Sequence, residues 1–321
     1  MKKSLVLLAG VVLFGLSCNK STSDEKVSEG DDITATTRQC SSHDVLELQL
    51  KEDPTLQARM NSIEDFTRQV IANPAQYRLE NGVVIIPVVF NVLYRTAAQN
   101  VSQAQLQSQI DVLNEDFSAT NADYNFTTTF NSFKSGNIAV RFELSAINRR
   151  STTKTSWSTN DAMKKNAQGI APTTPTTKLN VWVCNMGGGI LGYAQFPGGS
   201  SATDGVVLDD NATGRTGTAA APFNKGRTAT HEVGHWLNLR HIWGDATCGT
   251  DQVGDTPTHN TANYGCPAAG HTSTCSGSPV EMTMNYMDYT DDACMYMFSL
   301  GQEARMLAVF ATGGPRSSFA Q

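Results

Sequence analysis

No apolar run in this chain reaches the roughly 18 to 20 residues needed to cross a bilayer as a helix. The longest candidate, Leu5 to Leu16, stands directly behind Lys2 and Lys3 and reads as an export signal instead. Charge is scarce: Asp, Glu, Lys and Arg make up 17% of the 321 residues, and 24 basic against 30 acidic side chains leave a net charge of -6. A chain so poor in positive charge is not built to wrap a phosphate backbone, so no nucleic-acid partner is expected. Internal repeats are lacking, which excludes a solenoid. The cysteines include no pair separated by two residues, so the knuckle of structural zinc motifs is missing too. What is present is a hydrophobic content of 40%, enough at this length to bury a full core in one or two domains.

The export signal ends in Gly15-Leu16-Ser17-Cys18, similar to the lipobox of bacterial lipoproteins except that Gly15 stands where Leu is commoner. Residues 1–18 therefore read as a signal peptide of lipoprotein type with Cys18 as the lipidation point; an ordinary secretory peptide is the alternative. Residues 19–37, rich in Ser, Thr, Asp, Glu and Gly, cannot offset the entropy of ordering and read as a flexible tether. The expected location is the cell envelope or the medium of a bacterium, with a lipid anchor as the one membrane contact. In that oxidising setting Cys248, Cys266, Cys275 and Cys294 read as two disulfides, for which three pairings are open. Cys184, inside the apolar run Leu179 to Cys184, reads as a buried strand residue.

Val45, Leu46, Leu48 and Leu50, then Leu56, Met60, Ile63, Phe66 and Val70, recur at helical spacing and predict two short helices, with Asp53-Pro54 as cap and first residue of the second. Asn73-Pro74 ends that helix, and the stretch from Arg68 to Arg78 reads as an exposed boundary, dividing residues 38–80 from 81–321. Val83 to Leu93 predicts a buried strand, and Ser102 with Gln105 a capping box opening a helix that buries Leu106, Ile110, Leu113 and Phe117. Strands follow over 139–144, 179–184 and 205–208, and a helix opens at Arg227 to Thr228. The pattern predicts an upper half, 81–241, of mixed helices and strands. The lower half, 242–321, is irregular until a last helix near Gln302 to Phe310, and its order must come from crosslinks or ions.

His231-Glu232-Val233-Gly234-His235 places two imidazoles one helical turn apart on one face. A third, His241, lies too far around for a continuing helix, so the chain must turn sharply after Leu237. Asn238 sits at that turn, and Asn is the non-glycine residue that best tolerates a left-handed backbone. Three nitrogens with a fourth position open are the ligand set of a catalytic zinc, and Glu232 beside them is placed to act as a general base on a zinc-activated water. Gly187 to Gly192 meets the dinucleotide-binding spacing, but the following residues read as extended and end in Pro197, so no helix is available to hold a pyrophosphate. Those glycines read instead as a rim on which a substrate or an upstream segment lies as an extra strand.

The run His231 to His241, followed by Asn285-Tyr286-Met287-Asp288-Tyr289, resembles the pappalysin family of metzincin metalloendopeptidases, in particular its bacterial branch of ulilysin- and mirolysin-like enzymes. Leu179 to Asn185, Gly192 to Pro197 and Asp204 to Val207 share in the resemblance. It implies an α+β fold of the metzincin zincin type: a twisted mixed sheet with a backing helix and an active-site helix above an irregular, disulfide-linked C-terminal subdomain. It implies a zinc endopeptidase acting on protein or peptide substrates, with His231, His235 and His241 on zinc, Met287 as a hydrophobic floor and Tyr289 stabilising the transition state. Disulfides Cys248–Cys275 and Cys266–Cys294 are implied as well.

By the same resemblance residues 38–80 are a helical prosegment whose Arg38-Gln39-Cys40 is similar to a cysteine switch. The Cys40 thiolate would then occupy the open zinc position until the prosegment is cut away between Arg68 and Arg78. Members of this branch cut before Arg or Lys, and Asp292 matches the acid at the base of the receiving pocket, with Asp291 as its rival. The loop Thr250 to Pro257 is similar to a family calcium site, with Thr250, Asp251, Gly254 and Thr256 as ligands. The rival reading from another class is a catalytically silent, surface-anchored binding lipoprotein that retains the zinc fold.

Overall fold

A computed structural model describes residues 35–76 and 82–320. The export signal, Cys18, most of the tether, Arg78 and the boundary at residue 80 lie outside the described residues. In chain order the elements are helices α1 (Ser42–Glu52) and α2 (Leu56–Ala72), strand β1 (Val84–Tyr94), helix α3 (Gln103–Phe117), strands β2 (Val140–Ser151), β3 (Leu179–Cys184), β4 (Gly192–Ala194) and β5 (Val206–Asp209), and helices α4 (Arg227–Trp236) and α5 (Leu300–Ala308). Among the described residues no helix is long and apolar enough to cross a membrane.

The strands form one sheet in the order β2-β1-β3-β5-β4, parallel except for the antiparallel edge strand β4. Both faces of the sheet are covered, which is why β1 and β3 are nearly continuous apolar runs rather than alternating ones. One face gives Ile86, Val88, Phe90, Leu179, Val181 and Val183 to a core closed by Leu106, Ile110, Leu113 and Phe117 of α3 and by Val233 of α4. The other face gives Leu93, Trp182, Cys184, Tyr193 and Val207 to a second cluster under Trp157 and Met163. Cys184 is fully buried there with a free thiol.

Four local expectations shift. Asp53 caps the end of α1 rather than the start of α2: its Oδ1 accepts from the Thr55 N–H (2.9 Å) and hydroxyl (2.6 Å), a closed turn that makes Thr55 the N-cap. At α3 Ser102 accepts from the Gln105 N–H, but the Gln105 side chain does not return to it. That amide is drawn 3.0 Å onto the Thr213 carbonyl, a tertiary partner that overrides the local one. Strand β2 runs on to Ser151 because β1 offers partners as far as Tyr94. Helix α5 starts two residues early, where Ser299 and Gln302 form a complete capping box.

After α4 regular structure is sparse until α5, and the chain between is tied by Cys248–Cys275 and Cys266–Cys294. The Gly187–Gly189 stretch is a single tight turn that leads into β4, with no helix behind it. Helices α1 and α2 pack into the same compact unit as the rest, Asp32–Gln321.

Candidate active site

Helix α4 is held from both ends. Arg227 in its first turn gives two hydrogen bonds to Asp123 (2.5 and 2.6 Å), and Thr230 donates to Asp116 of α3 (2.7 Å). At the other end Asn238 takes a left-handed backbone (φ 75°), which lets Leu239 N–H close onto the Gly234 carbonyl at 2.9 Å and turns the chain toward His241. The Asn238 carbonyl is fixed in turn by Arg305 of α5 at 2.7 Å.

His231 and His235 are completely buried, and each Nδ1 faces a backbone carbonyl, Tyr286 at 2.6 Å and Leu239 at 2.8 Å. A carbonyl only accepts, so each Nδ1 carries the hydrogen and each Nε2 presents a bare lone pair. The His235 Nε2 lies 3.2 Å from that of His231 and 3.1 Å from that of His241. Burial first, and then the neighbouring rings, push His231 well below the usual histidine range and His235 down to about 3. Neither of these two rings therefore holds a proton that would relieve the crowding of lone pairs. A cation among them does relieve it, and a set of three imidazoles suits zinc.

Cys40 completes the cluster: its Sγ and the three ring nitrogens all lie within 4.8 Å of one another. Burial and then the Glu232 carboxylate push the Cys40 thiol well up, a penalty that a coordinated divalent ion reverses. Residues 39–41 run along the edge strand β4, with Leu191 N–H on the Gln39 carbonyl (2.9 Å) and Ser41 N–H on the Gly192 carbonyl (3.1 Å). Gly192 is required where β4 packs against β5 and α4, since a Cβ there would stand 2.7 Å from the Val207 carbonyl and 3.1 Å from the Glu232 side chain.

Glu232 is buried, and burial raises its carboxyl to about 7. The Ser42 hydroxyl donates to its Oε2 at 2.8 Å, and the Cys40 thiol lies 3.4 Å from the same oxygen. The Tyr289 hydroxyl donates to the Cys40 carbonyl at 2.8 Å, with its ring 4.9 Å from that of His241. Met287 is fully buried under the helix, and a Cβ on Gly234 would come within 2.5 Å of its sulfur, so the glycine of the His-Glu motif is what lets the two pack.

Asp292 is fully buried and holds Arg38, whose NH2 donates to its Oδ1 at 2.6 Å. The other carboxylate oxygen accepts from Lys225 N–H at 2.7 Å, before α4 begins. Arg38 also donates to the Thr290 carbonyl and to Thr228 Oγ1, and lies over the Phe223 ring. Asp291, the rival carboxylate, is not the one that Arg38 meets. In the 250–257 loop Asp251 turns inward onto Thr256 Oγ1 (2.8 Å) and Val253 N–H (3.1 Å), while Asp255 is spent on Ser299 and Gly301 of α5's first turn.

Several contacts have no sequence signal. The occupancy of the Asp292 pocket by Arg38 and the clamp of Ser42 on Glu232 arise from separations of 254 and 190 residues. So does Glu64 of α2, whose carboxylate makes a paired contact with Arg305 at 2.5 and 2.6 Å.

A family model described as pregnancy-associated plasma protein-A matches residues 175–311, which include His231, Glu232, His235, His241, Met287, Tyr289 and Asp292. The "Extracellular metalloprotease" of Verticillium alfalfae is 33% identical over 232 residues, covering 70% of this chain and 76% of that protein. The chain belongs to the pappalysin family of zinc metalloendopeptidases. Among solved structures, a mutant of promirolysin from Tannerella forsythia is 40% identical with a TM-score of 0.79, covering 88% of this chain and 97% of that one. Mature mirolysin from the same organism, solved with a cleaved peptide, is 44% identical with a TM-score of 0.71 over 74% and 95% of the two chains. This pappalysin has the metzincin fold and is a zymogen-type zinc metalloprotease.

Proposed function

We propose that the chain is exported, by a signal over residues 1–18, as a latent peptidase with a prosegment at 38–80 and a catalytic domain at 81–321, and that once matured it cuts before Arg and, less well, Lys. Export fits the relatives, which are named extracellular; lipidation at Cys18 is the anchored form of the same proposal. His231, His235 and His241 hold zinc, Cys40 keeps the fourth position closed, and the cut that releases it falls between Arg68 and Arg78. Arg68 stands on α2, so a protease reaches it only after that helix opens, whereas Pro74, Ala75 and Gln76 beyond the helix are exposed.

When bound, zinc supplies Lewis acidity at the open position, toward water and toward the scissile carbonyl. The chain supplies the rest. Glu232 takes a proton from the attacking water and returns it to the leaving amine, as a positioned general base does. Tyr289, now donating to the Cys40 carbonyl, turns the same hydroxyl to the oxygen of a substrate carbonyl, where negative charge develops. The edge of β4 binds substrate backbone as it binds residues 39–41. Asp292 receives the basic side chain, and the fork of a guanidinium fits a carboxylate better than an ammonium does.

The observation that carries this reading is that residues 38–42 engage all of these groups at once: the Asp292 pocket, the three imidazoles, Glu232, Tyr289 and the β4 edge. Glu232→Ala should keep its zinc and lose peptide hydrolysis by about 10²-fold to 10⁴-fold; full activity in that variant removes the base assignment. The proposal extends to calcium at Thr250, Asp251, Gly254 and Thr256. Its support is the desolvated Asp251 carboxyl, raised to about 6 by burial, a cost that a divalent cation offsets.

A further inference from the structure

The three imidazoles of the cluster are not held alike. His231 and His235 give their outer N–H to backbone carbonyls, whereas the His241 Nδ1 lies 2.5 Å from Oδ1 of Asp245, four residues on. The loop is shaped for this contact. Gly244 and Asp245 both take left-handed backbones (φ 65° and 56°), and Gly244 N–H closes onto the His241 carbonyl at 2.8 Å. A Cβ at Gly244 would stand 2.4 Å from the Thr250 carbonyl, so glycine is required at that turn. The His241 ring lies flat on Trp243, 4.4 Å away and 7° from parallel, which limits its rotation.

We infer that Asp245 is a positioning residue for zinc: it fixes the tautomer and plane of His241 and makes that ring the strongest nitrogen donor of the three. A carboxylate hydrogen-bonded to the outer nitrogen of a ligating histidine raises the basicity of the ring more than a neutral carbonyl does. The other oxygen of Asp245, Oδ2, faces His43 of α1 at 3.6 Å. Departure of α1 therefore uncovers Asp245 without touching the oxygen that holds His241, and the device persists in the matured enzyme. The inference rests on His241 being a ligand.

The test is the zinc dissociation constant of the full chain, read by competition with a chromophoric chelator, for Asp245→Ala, Asp245→Asn and His241→Ala. Asp245→Ala should bind zinc about 10-fold to 100-fold more weakly. Asp245→Asn, whose side-chain oxygen still accepts the N–H without the charge, should recover part of that loss. A residue that only braces the loop lowers the melting temperature of the zinc-loaded protein and leaves the zinc constant alone; that result in both Asp245 variants, with His241→Ala weakened, overturns the inference and spares the ligand assignment. Unchanged zinc affinity in His241→Ala overturns the ligand assignment itself.

Discussion

Residues 38–42 and helix α2 belong to one proposed prosegment and grip the catalytic body by different physics. The first stretch is short, lacks regular structure before α1, and works through polar contacts to the groups of the cleft: Arg38 on Asp292, Cys40 by the imidazoles, Ser42 on Glu232. The second is a 17-residue helix whose Val70 and Phe66 pack with Ala308 at the end of α5 and with Ala311 beyond it, with polar contacts from Glu64 to Arg305 and from Arg59 to the Gly198 carbonyl. On the proposed reading five residues block the chemistry, and the helix supplies grip without touching any of the groups proposed to react. Latency and affinity are separable in this arrangement.

The largest effect that distinguishes them is expected at Cys40. Cys40→Ala in the uncut chain should raise hydrolysis of an Arg-containing peptide at least about tenfold, equivalent to roughly 1.4 kcal/mol of lost latency. Glu64→Ala should leave the uncut chain latent in the same assay, and the reverse pattern breaks the comparison. Asp292→Ala acts on the same cleft from the catalytic side. Losing one partner of a buried charge pair costs roughly 2–5 kcal/mol, so kcat/KM for Arg after the scissile bond should fall about 30-fold or more in a peptide-library profile, with neutral residues little affected.

Acid sharpens the comparison from the α2 side. Partial burial works against ionisation of Glu64, and the Arg305 guanidinium outweighs it, holding the carboxyl below its ordinary 4.5. A carboxylate depressed on folding contributes stability that is complete above 4.5 and is lost as the pH falls through the lower, folded value. The zymogen's melting temperature should therefore drop below pH 4.5, and Glu64→Gln should flatten that part of the profile; an identical acid limb in the variant contradicts the role given to this pair. The smallest effect is expected far from both stretches. Millimolar calcium should raise the melting temperature by about 2–4 °C, and Asp251→Ala should abolish the gain.

How legible these features are in the sequence follows from how far each reaches. The helical spacing of Leu106, Ile110, Leu113 and Phe117, the apolar runs of β1 and β3, and the five-residue His-Glu motif with its turn at Asn238 are local patterns, and α3, the sheet and α4 form where they predict. Caps were less legible. Asp53 and Gln105 each have a propensity for the helix-start role that the sequence predicts, but Thr55 and the Thr213 carbonyl offer better partners. Below the cleft, two disulfides and side-chain hydrogen bonds replace periodicity, and composition alone leaves three cysteine pairings open. Asp245 lies only four residues from His241, yet what brings it back is the left-handed pair at Gly244 and Asp245, which no periodicity announces.

The claim on which the account depends is that three imidazoles and Glu232 form a zinc-dependent peptidase centre beside a pocket for a basic side chain. The most direct test is a cleavage-site profile of the matured chain, taken together with its zinc content, before and after a chelator. The expected result is one equivalent of zinc, cleavage concentrated before Arg and then Lys, and loss of both the metal and the cleavage on chelation. Cleavage that survives removal of the zinc, or a profile indifferent to the residue after the scissile bond, contradicts it.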